Sequence, residues 1–413
     1  MRLQLSFFVI VSSASVYAEL LGGTQVFSGL TIGIPTVFSG LTLLVTTRID
    51  GGGYKLPMHI ALGASVLGNM LYALAYRAQF LYLILIGRMV TGVGFISFMY
   101  SKRYCSDPRI VGVRRRTTLA SWLVVGQGLG FTAGPFLGGA LFKMGLKNRV
   151  FNGLTSPGWI MAIVFVLAWA ASAVMFEEVP RRMTGSQDHA IELSPTTSSS
   201  HPVQPTPTLR SLGWQQWGVI ACMCWYAMTC FFILGAWEAN LPIFTATPVA
   251  EGGSGMGYSP YNAGNFLALG GLVTLPFLLL NVRFARRFQD RTILAFGSSL
   301  GTIGLLLTLI LIKTHHVTFG SLIVCWVLIA LGFNLASTCT LSLLSKQLPD
   351  AWNGRVSIAI QYSNYTGRVT GAVLGGAGVK IGMARYIGLQ LGVVGVGLVM
   401  YLTLWKSLKA KTG

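Results

Sequence analysis

Apolar residues follow one another along this chain in stretches of about 20, each closed by Gly, Pro or charge. The stretches fall near 5–20, 25–47, 57–76, 80–100, 118–142 and 157–176, then near 217–244, 262–281, 292–312, 318–344, 356–379 and 385–405. A helix needs about 20 apolar residues to cross the hydrocarbon core of a bilayer. The pattern therefore predicts an all-α membrane protein with twelve transmembrane helices, six and six. Between the two sets, Ser-Pro-Thr-Thr-Ser-Ser-Ser-His-Pro at 194–202 sits in a stretch almost without large apolar side chains. Such a stretch cannot bury a core, so 177–212 is expected to be a disordered cytoplasmic linker. The expected domains are an N-terminal six-helix bundle over 1–176, that linker, and a C-terminal six-helix bundle over 213–413.

Composition agrees with this layout. Of 413 residues 53% are hydrophobic and 10% are charged, against about 25% charged in soluble domains, which excludes an ordinary soluble enzyme. The 30 Lys and Arg outnumber 11 Asp and Glu, an excess that in a soluble chain would suggest nucleic acid. In a membrane protein it belongs to cytoplasmic loops, so the expected surroundings are a lipid bilayer and no nucleic acid. With both termini inside, twenty-one of the basic residues fall in inside loops and seven in outside ones, which favours twelve spans. Arg2, Leu3–Val11 and Val16-Tyr17-Ala18 also fit a signal peptide. The repeat described next favours a retained first helix.

The end of the fifth span, Gly130-Phe-Thr-Ala-Gly134-Pro135-Phe-Leu-Gly138-Gly139, matches the eleventh, Gly367-Arg-Val-Thr-Gly371-Ala-Val-Leu-Gly375-Gly376. Lys143 and Gly145 continue the match at Lys380 and Gly382. Gly29 and Arg48 correspond in the same order to Gly264 and Arg283, and Glu19 in Tyr-Ala-Glu-Leu takes the place of Glu238 in Ala-Trp-Glu-Ala. The halves thus read as copies of one six-helix unit, two pseudo-symmetric bundles related by an axis along the membrane normal. Gly130, Gly134 and Gly138 at spacing four form a groove that lets a neighbouring backbone approach closely, and Pro135 favours a kink.

Charge within a span is costly and normally faces a cavity or a partner, which singles out Arg88 and Arg368. Arg368 continues a stripe of Gln361 and Asn364 and is the preferred cavity-facing ligand or coupling residue. For Arg88 a structural hydrogen-bonding role competes with a functional one. Glu19, on one face with Ser12 and Ser15, and Glu238 are candidates to carry a proton; the alternative is that both are solvated at the membrane interface. Five cysteines (Cys222, Cys224, Cys230, Cys325 and Cys339) fall in apolar runs and Cys105 in a basic loop, which suggests packing rather than disulfides. The histidines lack metal-ligand spacing and there is no phosphate-binding Gly-Lys-Ser loop. No catalytic residue, metal or cofactor is expected.

Asp50-Gly-Gly-Gly53-Tyr54-Lys55 between spans 2 and 3, Arg88-Met-Val-Thr-Gly92-Val-Gly94 in span 4 and the full GxxxGPxxGG of Gly130–Gly139 in span 5 together resemble the major facilitator superfamily. More narrowly, Leu67-Gly-Asn-Met-Leu-Tyr-Ala-Leu-Ala-Tyr76, Ile86-Gly-Arg88 and Ser101-Lys-Arg-Tyr104-Cys-Ser-Asp107 resemble one branch. That branch holds vacuolar phosphate transporters carrying an SPX domain and the lysosomal facilitator of neuronal ceroid lipofuscinosis; no SPX domain is expected ahead of the first span. The resemblance implies a secondary active transporter, a monomer, moving a small solute by alternating access, as antiporter or symporter, with proton coupling as the candidate drive. It also implies a vacuolar, lysosomal or other endomembrane location. Two intramembrane arginines favour an anion, and the resemblance makes phosphate or chloride the expected solutes. A non-transporting sensor on the same fold and a channel-like anion conductance are the alternatives. Asp50, Gly53 and Lys55, with the glycines of span 5, Gly139 and Pro135 included, are expected to control conformation rather than to touch solute.

Overall fold

The computed structural model describes residues 2–51, 53–106, 113–145, 148–176, 213–284, 289–347 and 353–409; the expected linker lies outside them. Every regular element among them is a helix. The first half holds α1 (Arg2–Phe8), α2 (Ala14–Leu20), α3 (Gln25–Ile49), α4 (Lys55–Ala78), α5 (Leu81–Gly94), α6 (Ile96–Ser106), α7 (Val113–Lys143) and α8 (Ser156–Met175). The second holds α9 (Trp214–Ala246), α10 (Pro260–Phe284), α11 (Asp290–Lys313), α12 (Phe319–Gln347), α13 (Asn353–Ile381) and α14 (Met383–Thr403).

Among the described residues, nine helices are long and apolar enough to cross a membrane: α3, α4, α5 continued to Ser101, α8 to α12, and α14. Their outward faces are apolar too, with Leu167, Val174, Phe296 and Val399 all more than half exposed. Helices apolar on every side belong in lipid. The three other expected spans have different characters. The first is split, with short-range backbone bonds from Val11 to Phe8 and from Ser13 to Ile10 carrying the chain from α1 to α2. Helices α7 and α13 are 31 and 29 residues long, but Gly, Ser, Thr and Arg dilute their apolar content.

In the first half α4 packs on α5 and α8, α3 on α5, and α1 on α7; in the second, α9 packs on α13 and α12, and α11 on α12 and α14. The halves meet along α3–α13 and α7–α10. The glycine repeat explains this geometry. A Cβ on Gly138 would run into the Val9 carbonyl oxygen, and one on Gly375 into that of Ala236. One residue on, a Cβ on Gly139 would meet Pro260 and Tyr261 of α10, and one on Gly376 would meet Gln25 and Gly29 of α3. Each copy thus uses one glycine to seat its own first helix and the next to seat the other bundle, where small residues permit backbone-to-backbone approach.

This packing corrects one expected equivalence. Glu238 lies two residues past Ala236, whereas Glu19 lies ten past Val9, near the end of α2 and exposed. Glu19 and Glu238 are therefore not counterparts. Similar local sequence suggested the pairing, but the packing glycines set the register, and the break in the first span displaces everything after it.

Candidate functional site

A cavity of about 320 Å³ lies between the bundles, lined from α1, α3, α7, α9, α10, α12 and α13 and from the α5–α6 junction. Its residues sit near mid-helix or toward the end at which α8 finishes and α9 begins: Gln4 at the start of α1, Leu278 and Leu279 late in α10, Gln361 early in α13. At the other end the bundles are shut together. Gly139 packs on Tyr261 there, and the Lys143 ammonium lies 4.3 Å from the centre of the Tyr261 ring.

Glu238 and Arg368 form the charged part of the lining. Helix α9 carries Glu238 well inside a 33-residue run, and α13 is held against α9 by the glycine contacts above, so the two side chains meet in an ion pair between Arg368 Nη2 and Glu238 Oε2. Their exposures differ in a useful way: 11% for the Arg368 side chain and 3% for that of Glu238. Both line the cavity, and the guanidinium is the more exposed of the two. Arg368 also lies over two rings of α1, its Cζ 4.8 Å from the centre of Phe7 and 5.2 Å from that of Phe8. Cation–π contacts of this kind gain strength as water is excluded. Gln361 and Asn364 share the lining, and the buried Asn364 Oδ1 has no hydrogen-bond partner among the described residues. On the same helix, Tyr365 Oη lies 3.1 Å from Ser39 Oγ, and Tyr362 Oη donates to the Gly40 carbonyl at 2.8 Å. These bonds tie α13 to α3 beside the cavity.

Arg88 is elsewhere. It is 1% exposed, its Nε donates to the Thr31 carbonyl at 3.1 Å, and its Cζ lies 5.5 Å from the Phe7 ring, on packing between α3 and α5 rather than on the cavity lining. Glu19 is exposed at the end of α2. Asp50, buried where α3 ends, accepts from Tyr100 Oη at 2.8 Å and Arg103 Nη1 at 2.9 Å. A carboxylate at a helix C-terminus opposes the local dipole, and these donors from α6 compensate. Gly53 donates its amide to the Asp50 carbonyl at 2.8 Å, and Lys55 opens α4, exposed. Gly130, Gly134 and Gly138 are buried along α7 with Pro135 inside the helix.

The sequence did not reveal the aromatic part of the site. Six phenylalanines line the cavity: Phe7, Phe8, Phe95, Phe98, Phe131 and Phe231. In helices where nearly every position is apolar, a phenylalanine facing solute looks like one facing lipid. The Glu238–Arg368 pair did leave a signal, since two opposite charges in the apolar spans of one half are expected to seek each other.

Residues 3–372 match the Major Facilitator Superfamily. An uncharacterized MFS-type transporter of Schizosaccharomyces pombe is 33% identical over 417 residues, covering 99% of this chain and 80% of the relative. An SPX domain-containing membrane protein of Arabidopsis thaliana is 33% identical over 177 residues, 42% of this chain and 24% of that one. Among solved structures, a bacterial homolog of the human lysosomal transporter Spinster, inward-facing and unoccupied, aligns with a TM-score of 0.68 at 12% identity over 98% of this chain and 95% of its own. The xylose transporter XylE of E. coli, inward open, aligns with a TM-score of 0.69 at 13% identity over 100% and 95%. At such identities the structural likeness is one of fold.

Proposed function

The chain belongs to the major facilitator superfamily, and we propose that it carries a small anionic solute by alternating access, with Arg368 meeting the anion and Glu238 as its internal counter-charge. Membrane transport of a small molecule follows from the family, whose members matched here are transporters rather than enzymes. The anion reading rests on one observation: of the two charged residues in the lining, Arg368 is the more exposed, at 11% against 3% for Glu238. A planar guanidinium binds an oxyanion through two parallel N–H bonds where an ammonium offers a point charge.

The closed contacts at Gly139–Tyr261 and Lys143–Tyr261, with cavity residues toward the linker side, support an inward-facing state whose linker is cytoplasmic. Coupling then follows from the pair. A proton taken by Glu238 removes the counter-charge and frees Arg368 for the solute; release of the proton restores the pair and expels the anion. On this reading the protein works as a monomer in a vacuolar, lysosomal or related endomembrane, the compartment suggested by its likeness to the SPX-bearing branch.

The test is uptake of labelled anions into vesicles across an imposed pH gradient. Saturable uptake stimulated by the gradient is expected, with weaker solute binding in Arg368→Lys and none in Arg368→Gln/Glu238→Gln, a neutral pair that keeps the packing. Parental transport by that double variant would make Arg368 structural. Uptake that rises without saturation would favour a conductance.

A further inference from the structure

The cavity also says what kind of anion it suits. We infer that the solute is an organic carboxylate with an apolar, ring-sized body and a hydrogen-bond donor, rather than a small inorganic anion. This deepens the reading of the same site and rests on Arg368 as the anion contact.

Three features carry it. First, the lining is mostly hydrocarbon. Six phenylalanine rings line the cavity beside polar side chains of α7, α12 and α13 and one ion pair, and where a hydrated inorganic anion meets those rings it would give up water for no hydrogen bond in return. An apolar body gains by displacing that water. Second, the guanidinium offers little to a compact anion. The Arg368 guanidinium lies over Phe7 and Phe8, and one of its nitrogens is taken by Glu238. The remaining edge suits a single carboxylate better than an anion needing donors all round. The volume, about 320 Å³, lies at the lower end of the range for pockets that hold small organic molecules. Third, the buried Asn364 Oδ1 finds no donor among the described residues. It stands one helical turn from Arg368 and lines the same cavity, so a hydroxyl or amide next to the carboxylate would satisfy it. An unmet buried acceptor discriminates against ligands that cannot donate.

The experiment is a graded ligand series on the purified full-length protein, read as the shift in melting temperature and as competition among the ligands. The probes are chloride, inorganic phosphate, acetate, phenylacetate and mandelate. Affinity should rise from acetate to phenylacetate by about tenfold or more, the worth of burying a ring, and again to mandelate, whose hydroxyl can reach Asn364. Phe231→Ala should reduce the gain from acetate to phenylacetate. Asn364→Ala should remove the gain from phenylacetate to mandelate. Chloride or phosphate binding more tightly than the aromatic acids, a flat series, or no shift with any of the five would overturn the inference. Ordered binding without uptake into vesicles would support the ligand class and count against transport instead, so the two failures are distinguishable.

Discussion

Removing Arg368 alone should damage the fold as well as the function, and the size of the damage follows from burial. Glu238 keeps 3% of its side-chain surface. In Arg368→Gln the carboxylate loses the guanidinium that neutralises it, and breaking a buried pair by deleting one partner typically costs about 3–5 kcal/mol. The 11% exposure of Arg368 lets some water reach the site, which argues for the lower end, about 3 kcal/mol. Glu238→Gln strands a charge as well, although Arg368 retains Phe7 and Phe8, so its loss should be smaller. Removing both charges leaves two amides able to bond each other, and the double variant should regain most of the deficit. The assay is a double-mutant cycle on unfolding in detergent micelles, with limited proteolysis as a second readout. A coupling energy of about 2 kcal/mol or more is expected for residues in one buried pair. Strict additivity of the two single variants would refute the claim that the charges meet in the folded protein.

Three further outcomes follow. Gly138→Ala and Gly375→Ala each push a methyl into a backbone carbonyl and should destabilise by about 1–3 kcal/mol, whereas Gly388→Ala, in α14 with open space around its Cα, should be neutral or slightly stabilising; thermal melts of the three decide it. Asp50→Asn removes the charge facing Arg103, which is 43% exposed and therefore screened, so the variant should stay folded but shift between inward- and outward-facing populations; unchanged reactivity of cysteines placed along the cavity would count against that. A protease site inserted at Ser198–Ser200 should be cut from the cytosolic side, and cutting from the lumen would reverse the topology.

The fold was legible because its determinants are local and repeated. Apolar runs give the spans, and the glycine quartet marks where α7 and α13 must be approached closely. The same quartet also shows where legibility ended. It gives the register of α7 against α1 and of α13 against α9 only when the facing carbonyls, Val9 and Ala236, are known. Sequence similarity around Glu19 and Glu238 stood in for that knowledge and failed by about two turns of helix. Arg368, Gln361 and Asn364 could be read as a cavity stripe because polar groups in an apolar helix have few other places to go. Their aromatic neighbours could not, since burial in protein and immersion in lipid select the same side chains.

The two copies also differ in a way that bears on mechanism. Phe131 in α7 and Arg368 in α13 occupy equivalent positions, and both face α1: Phe131 meets Phe8 edge to face at 4.8 Å, and Arg368 lies over Phe7 and Phe8. One copy thus fills with hydrocarbon the place that the other fills with charge, so the scaffold itself does not require an arginine. Phe7 is the element shared between the charges, with the Cζ of Arg88 at 5.5 Å and that of Arg368 at 4.8 Å from the one ring. A solute that draws Arg368 off Phe7 would leave that ring to the buried, half-satisfied guanidinium of Arg88. Phe7 belongs to the split first span, where the bonds from Val11 to Phe8 and from Ser13 to Ile10 replace a continuous helical ladder between α1 and α2.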